Sequence, residues 1–123
     1  MTEKEVFIEQ MKNRTKKFAV DVINFCDTLK KVKASNVVTY QLVKSATSTG
    51  ANYRAACRGR SQKEFFSKMC IVVEEIDETE YWLEIIKEAE LTLNIIELKR
   101  LLKEANEILK ITAKAKSSTY GNK

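Results

Sequence analysis

Apolar residues recur at helical spacing in four stretches of the chain, and the third stretch, residues 62–89, has the clearest pattern. Its apolar positions alternate spacings of four and three, with Thr79 as the polar member: Phe65, Met69, Val72, Ile76, Thr79, Leu83 and Ile86. Such a heptad seam is typical of a helix that packs against other helices. At 1.5 Å per residue, the predicted helix is roughly 40 Å long.

Three further stretches carry a comparable stripe of apolar residues. Residues 3–31 place on one side Phe7, Met11, Phe18, Val22, Phe25 and Leu29. Residues 37–59 place there Val38, Leu42, Ala46, Thr49, Tyr53 and Ala56. Residues 93–115 continue the pattern with Ile95, Leu98, Leu102, Ala105, Leu109 and Thr112. Because each stripe covers one face only, four amphipathic helices are predicted.

Polar breaks separate these stretches and supply candidate helix caps. In the break before the second helix, Ser35 or Asn36 is the expected N-cap. Ser61 and Glu64 have the spacing of a capping box at the start of the third helix. Thr92 or Asn94 is the candidate cap for the fourth helix, so every predicted helix after the first begins at a polar residue of the preferred type.

The scarcity of helix-breaking residues supports the same architecture. The 123-residue chain contains no proline and three glycines, which favours long uninterrupted helices. Short connections place consecutive helices antiparallel to each other. We therefore predict an all-α fold, an antiparallel up-down-up-down four-helix bundle over residues 1–116. Residues 117–123 lack apolar periodicity and are predicted to be a disordered tail.

Cysteine use and hydropathy narrow the class of protein. Cys26, Cys57 and Cys70 are odd in number and widely spaced, which predicts three reduced thiols instead of disulfides or a zinc site. No apolar run approaches the ~20 residues of a membrane span. The N-terminal segment has no apolar secretory core. These features predict a cytoplasmic protein with no membrane partner.

The chain contains no histidine, which removes the commonest general base and all histidine-containing metal sites. Carboxylates on one helix face, such as Glu74, Asp77 and Glu78, are able in principle to perform acid–base chemistry or to hold a hard cation. Acidic helix faces are usually solvated instead. We predict no enzyme activity, no catalytic residues, no metal and no cofactor.

The net charge of +5 is distributed unevenly along the chain. Residues 35–60 carry four basic and no acidic side chains, whereas residues 61–90 carry three basic and nine acidic ones. One interpretation is a solvated surface with intramolecular ion pairs. The other is that the acidic helix meets a basic face of another subunit. The predicted oligomer interface then consists of Glu74, Asp77, Glu78, Tyr81 and Trp82.

An arginine cluster follows the small residues of the second helix. Arg54 and Arg58 are four apart and share a helix face, and the candidate nucleic-acid-binding set is Lys44, Arg54, Arg58, Arg60 and Lys63. Guanidinium groups bind phosphate in bidentate fashion. The alternatives are that these arginines cap the bundle or pair with the acidic helix at Glu74, Glu75, Asp77 or Glu78.

Two tyrosines lie near this cluster. Tyr40 and Tyr53 are candidates for stacking on bases, although Tyr53 also belongs to the core stripe of its helix. The stripe position favours a core role for Tyr53.

The stretch SATSTGANYRAACRGRSQKEFFSKM, residues 45–69, resembles the signature of the 23S rRNA intervening-sequence protein family, also described as S23 ribosomal protein-like. Many members have proline where this chain has Gly50. The later stretch EEIDETEYWLEII resembles the downstream helix of the family. The positions that match the signature are Ser45, Ala46, Ser48, Ala51, Asn52, Arg60, Ser61, Glu64 and Phe65.

This resemblance implies a four-helix bundle, an association with ribosomal RNA and a homopentameric ring. The chain is also similar in fold and charge to accessory proteins of diversity-generating retroelements, which implies RNA or DNA binding and a reverse transcriptase as a partner. We predict a non-catalytic nucleic-acid-binding accessory protein that engages structured RNA. The alternative is a protein–protein assembly scaffold without a nucleic-acid role, which salt-sensitive RNA binding would distinguish from the first.

Overall fold

The computed structural model describes residues 1–121 and contains four long helices: α1 (Glu3–Cys26), α2 (Lys33–Cys57), α3 (Gln62–Glu88) and α4 (Ile95–Gly121). Helices that follow each other in sequence pack side by side, and α4 also packs against α1. The prediction of an all-α, antiparallel up-down-up-down four-helix bundle is confirmed. One end of the bundle therefore holds the start of α1, the α2–α3 connection and the end of α4.

Helix starts agree with the predicted caps at α3 and α4 but not at α2. The Ser61 hydroxyl accepts a hydrogen bond from the Glu64 amide at 3.1 Å, and the Asn94 side chain accepts one from the Glu97 amide at 3.3 Å. The second helix begins at Lys33, before both predicted caps, and its N-cap residue offers no side-chain hydrogen bond. The prediction that Ser35 or Asn36 caps α2 is therefore wrong.

At the other end of the bundle, hydrogen bonds join the α1–α2 connection to the α3–α4 connection. These bonds explain why α1 ends at Cys26 and not near residue 31. The Lys30 amide donates to the Leu91 carbonyl at 2.7 Å, and the hydroxyls of Thr28 and Thr92 are 2.9 Å apart. These contacts use backbone groups that a longer α1 would have kept within the helix.

The core follows the predicted seam of α3 closely. Of its seven members only Phe65 is half-buried, and the remaining six are buried. All six predicted core residues of α2 are buried as well. In α4 the inward side chains at two turns are Leu101 and Ile108, while the predicted Leu102 and Leu109 are half-buried beside them.

The fourth helix continues through Gly121, so residues 117–121 are helical where the sequence predicts a disordered tail. The Thr119 hydroxyl donates to the Ala115 carbonyl at 3.0 Å within this last stretch. Ser118 and Thr119 also line a cavity that the first turns of α1 border at Lys4 and Phe7. The last two residues of the predicted tail, 122–123, lie outside the described residues.

Residues 1–121 contain no helix that is both long enough and apolar enough to cross a membrane. No group of three or more cysteine, aspartate or glutamate side chains in this part of the chain is arranged to hold a metal ion. The three cysteines are free and half-buried.

Candidate nucleic-acid interface

The solvent-facing side of α2 carries basic residues and no acidic ones. This helix contains no aspartate or glutamate. With spacings of four and three, the following residues share the outward side and are all exposed: Tyr40, Lys44, Thr47, Ala51, Arg54 and Arg58. An anionic ligand that follows this side of α2 therefore meets no carboxylate from the helix itself.

A groove between α1 and α2 continues this basic side. Lys12 and Lys16 of α1 border it together with Arg54 and Arg58 of α2, and it encloses about 550 Å³. Gly50 and Ala51 contribute no long side chain to its floor. A Cβ atom on Gly50 would lie 3.4 Å from the backbone of Thr15, so the two helices approach closely there.

The carboxylate content of the groove is low. Glu9 is the acidic residue on its lining, and its carboxylate lies 3.3 Å from the Lys12 ammonium group. Lys16, Arg54 and Arg58 have no ion-pair partner within residues 1–121. The groove is therefore cationic over most of its length.

A second cavity of about 450 Å³ lies at the α2–α3 corner and shares Arg58 with the groove. Arg60, Lys63 and Lys68 also line it. The carboxylate of Glu64 is present, but it accepts a hydrogen bond from the Arg60 backbone amide and is thereby committed to the helix start. The two cavities together make a continuous basic surface around Arg58.

We call this surface the basic face and define it as the cations of the groove, the corner and the outer side of α2, of which all but the half-buried Lys12 are exposed: Lys12, Lys16, Lys44, Arg54, Arg58, Arg60, Lys63 and Lys68. Of the five predicted binding residues, the structure brings Arg54, Arg58, Arg60 and Lys63 together. Lys44 shares the outward side of α2 but lies outside both cavities. Lys12, Lys16 and Lys68 also belong to this surface, although they are not among the five predicted binding residues.

The five arginines of the chain divide into two groups. Arg14 forms ion pairs with Glu104 at 2.7 Å and Glu107 at 2.6 Å, and Arg100 pairs with Glu97 at 2.7 Å and Asp21 at 3.0 Å. Both belong to the α1–α4 side of the bundle.

The other group is the corner cluster of Arg54, Arg58 and Arg60. Within residues 1–121 their guanidinium groups make no ion pair and no side-chain hydrogen bond, and all three residues are exposed. The alternative interpretation that these arginines pair with the acidic residues of α3 is therefore wrong for the single chain.

The two tyrosines near the arginines have different environments. Tyr53 is 4% exposed, and burial raises the pKa of its hydroxyl, as expected of a core residue. Tyr40 is 63% exposed on the outer side of α2. Tyr40 is thus the tyrosine whose ring is free to stack on a base, and the core role of Tyr53 is confirmed.

The predicted oligomer interface forms a separate surface on α3. Glu74, Asp77, Glu78 and Tyr81 are exposed, and we call these four residues the acidic face. Trp82 is half-buried beside them, with its ring 5.1 Å from that of Tyr81 in an edge-to-face arrangement. Its indole nitrogen donates to the Glu78 carboxylate at 3.2 Å. Trp82 therefore links the acidic face to the core.

Electrostatics at the border of these two surfaces are consistent with their opposite charge. Burial raises the pKa of the Glu75 carboxyl, neighbouring Glu78 and Glu74 raise it further, and Lys44 of the basic face lowers it. Lys44 is therefore positioned to act on both surfaces.

The family model for the 23S rRNA-intervening sequence protein matches residues 9–114. A solved structure from Bacteroides thetaiotaomicron VPI-5482, described as a protein with unknown function from the S23 ribosomal protein family, is similar with a TM-score of 0.75 and 31% identity. The match covers 86% of this chain and 97% of that one. No curated protein matches the chain.

Proposed function

Because the chain belongs to the 23S rRNA-intervening sequence protein family, we propose that it is a non-catalytic nucleic-acid-binding accessory protein that binds structured RNA. The proposed binding surface is the basic face, with the corner arginines as its centre. The name of the family supports a connection with ribosomal RNA, and the chemistry of the surface supports an anionic polymer as the ligand.

The observation that carries the proposal is that some arginines form ion pairs within the chain and others do not. Arg14 and Arg100 are neutralised within the chain, whereas Arg54, Arg58 and Arg60 present unpaired guanidinium groups at one corner. Guanidinium groups that have no internal partner retain their full capacity for bidentate bonds to phosphate. A surface used only for solubility has no need of this clustering.

The length of the basic face fits a polymer better than a small ion. Lys44 and Arg58 are fourteen positions apart in one helix, so the basic side of α2 extends over roughly 21 Å at 1.5 Å per residue. Cations spread along such a distance follow a nucleic-acid backbone and bind it without reading its sequence. Double-stranded RNA is recognised largely by such backbone contacts and by shape.

Substitution of the corner arginines tests the proposal. We expect the triple variant Arg54→Gln, Arg58→Gln, Arg60→Gln to bind a structured RNA hairpin at least tenfold more weakly in fluorescence anisotropy. Glutamine preserves helix propensity, so the circular dichroism spectrum should be unchanged.

A matched control removes the same charge elsewhere. Lys103, Lys110 and Lys114 are exposed on α4, which lies diagonally across the bundle from α2. Their triple substitution by glutamine should leave RNA affinity within about twofold of the wild type, allowing for the loss of long-range attraction. Equal losses in both variants would contradict a localised site, and wild-type affinity of the arginine variant would contradict the basic face.

The acidic face supports assembly as a second role. Tyr81 is 54% exposed between carboxylates that have no ion-pair partner within residues 1–121, and basic residues of a second copy outside the corner arginines offer the opposite charge. We propose a homo-oligomer, with the pentamer that the family resemblance implies. If RNA binding is absent while the oligomer persists, an assembly scaffold is the better description.

A protein partner is part of the same proposal. The resemblance to retroelement accessory proteins implies a nucleic-acid polymerase such as a reverse transcriptase, with RNA or DNA as the shared ligand. Co-purification with a purified reverse transcriptase, in the presence and absence of nuclease, would separate direct protein contact from contact through nucleic acid.

A further inference from the structure

The start of α2 lies at the opposite end of the bundle from the corner arginines. Its N-cap residue is Val32, which provides no side-chain acceptor, and its first turn contains no acidic residue. The amides of Lys33 and Ala34 therefore have no intrahelical acceptor and none from a cap. These free donors carry the positive end of the dipole of a 25-residue helix.

A second, independent feature points to a ligand at this place. Ser35, in the same turn, is 5% exposed, and its hydroxyl has no hydrogen-bond partner within the described residues. Buried hydroxyls are normally paired, because an unpaired one loses its hydrogen bonds to water without replacement. Ser35 lines a cavity of about 400 Å³ that opens in front of the helix start.

The remaining lining of this cavity is mostly cationic or polar. Lys30, Lys31 and Lys33 border it, and Asp27 is the carboxylate among its lining residues. The hydrogen bond from the Lys30 amide to Leu91 holds the loop in place, so the three lysines do not have to be ordered by a ligand. Free amides, a buried hydroxyl and lysines around one cavity are the donor set that phosphate prefers.

We propose that the cavity at the start of α2 is a binding site for a phosphate group. The backbone amide of Lys33 donates to its oxygens, the buried Ser35 side chain rotates toward the cavity to donate as well, and the lysines balance its charge. The phosphate belongs to a small phosphorylated molecule or to the end of a nucleic-acid strand. The site does not depend on the corner arginines, because the length of α2 separates the two.

Inorganic phosphate is the first probe, titrated into the ¹⁵N-labelled protein while chloride keeps the ionic strength constant. We expect saturable shifts of the Lys33 and Ala34 amide signals. Ser35→Ala should weaken phosphate binding at least tenfold, and Asp27→Asn should strengthen it severalfold by removing a repelling charge. Ser48→Ala, a serine substitution near the middle of the same helix, should leave the affinity unchanged.

Lysine variants keep the test decisive if Ser35→Ala alters the fold. Lys31→Gln with Lys33→Gln should also weaken phosphate binding by at least tenfold while the far-ultraviolet spectrum stays that of the wild type. The proposal is overturned if phosphate and chloride shift the same signals equally, or if correctly folded Ser35→Ala binds phosphate as the wild type does.

A second pair of probes identifies the source of the phosphate. The corner-arginine triple variant is titrated with a short RNA that carries a 5′-phosphate and with the same RNA that ends in a 5′-hydroxyl. Shifts at Lys33 and Ala34 with the phosphorylated RNA alone indicate a strand end as the ligand. Shifts with inorganic phosphate but with neither RNA indicate a small phosphorylated molecule.

Discussion

At the scale of single residues, two hydroxyls join α2 to α3 inside the core. Thr79, the polar member of the apolar seam, is buried and its hydroxyl lies 2.9 Å from that of Ser45. Ser45 in turn donates to the Leu42 carbonyl at 3.1 Å, and the Thr79 hydroxyl also reaches the Glu75 carbonyl at 2.8 Å. Each buried hydroxyl is thus bonded within its own helix and also contacts the other across the helix interface.

A double-mutant cycle on this pair should show coupling. We expect Ser45→Ala and Thr79→Val each to lower the free energy of unfolding by about 1 kcal/mol, because each leaves one hydroxyl with fewer partners. The loss of stability in the double variant should be smaller than the two single losses added together, since the contact between the two hydroxyls is lost only once. Urea denaturation measures all four proteins. Strict additivity would show that the two side chains act separately.

Single residues also show where periodicity is ambiguous. The α3 seam was predictable because spacings of four and three admit one inward side. In α4 two adjacent positions are apolar at Leu101 and Leu102, and again at Ile108 and Leu109. Periodicity accepts either member of each pair, and only packing against the neighbouring helices decides that Leu101 and Ile108 point inward.

At the scale of helices, the end of α3 depends on a left-handed residue. Glu90 has φ of 53°, a conformation that favours glycine. The Leu91 amide donates to the Ile86 carbonyl at 3.0 Å and the Glu90 amide to the Lys87 carbonyl at 3.2 Å. These are the two bonds of a Schellman motif, and buried Leu91 supplies its apolar contact.

Glu90→Gly should therefore stabilise the protein by about 1 kcal/mol, because glycine adopts this conformation without the penalty that glutamate carries. The same substitution at Glu84, an exposed position within α3, should destabilise by about 1 kcal/mol. Thermal and urea unfolding of the two variants provide the comparison. A loss of stability in Glu90→Gly would mean that the glutamate side chain makes a contribution larger than its backbone penalty.

The contact between α1 and α4 depends on ion pairs more than the other helix contacts do. The hydrogen bond from Arg14 lowers the pKa of the Glu104 carboxyl against the opposing effect of burial. For Asp21, burial raises the pKa, but hydrogen bonds from Lys17 and Arg100 outweigh it and the net change is downward. These carboxylates bind protons more weakly in the folded chain than in the unfolded one.

Stability should consequently depend on pH in a defined direction. A carboxyl whose pKa is lowered by folding stabilises the protein fully above its ordinary pKa, and this stabilisation is lost as the pH falls below about 4. Arg14→Gln should lower the free energy of unfolding by about 1 kcal/mol at pH 7. The difference from the wild type should shrink at pH 3. An equal difference at both pH values would contradict an electrostatic role for Arg14.

Helix boundaries were the least predictable part of the fold. The observed start of α2 has no capping side chain, whereas the predicted helix began at residue 37 behind Ser35 or Asn36 as its cap, and Ser35 is in fact buried within the first turn. The last turns of α4 lack an apolar stripe, and residues 117–121 were predicted to be unstructured for that reason. Helix propensity and local hydrogen bonds such as that of Thr119 are weaker signals than periodicity.

At the scale of the whole molecule, opposite charges lie on different sides of one bundle. The basic face covers the α1–α2 side and the corner, and the acidic face covers the outer side of α3. The acidic face of one copy is able to meet basic residues of another copy outside the corner, which leaves Arg54, Arg58 and Arg60 for RNA. Contact between copies of unlike surfaces closes into a ring when the rotation permits.

Light scattering coupled to size-exclusion chromatography tests the assembly. We expect a mass several times that of the 14.1 kDa chain, and five times it for the proposed pentamer. Tyr81→Ser should shift the population toward smaller species because it removes apolar area from the acidic face. Ile96→Ser is the control, since Ile96 is 86% exposed at the end of the bundle, away from this face. A wild-type monomer at micromolar concentration would contradict the proposal.

The candidate site was predictable only where it is local in sequence. Arg54 and Arg58 share a helix face because they are four residues apart, and Arg60 and Lys63 follow closely in the sequence. The contribution of Lys12 depends on the side of α1 that packs against α2, which spacing alone does not determine. The pairing of Arg14 with Glu104 likewise joins residues 90 positions apart, so the contrast that singles out the corner arginines emerges only in the folded chain.

The salt dependence of RNA binding tests the central claim most directly. Each phosphate contact adds about 0.7–0.9 to the slope of the logarithm of affinity against the logarithm of salt concentration, because bound cations displace counterions. The wild type should show a steep slope. The Arg54→Gln, Arg58→Gln, Arg60→Gln variant should be shallower by roughly 2 to 3. Identical slopes for the two proteins, measured with the same RNA and with both proteins equally assembled, would contradict the proposal that the corner arginines bind phosphate.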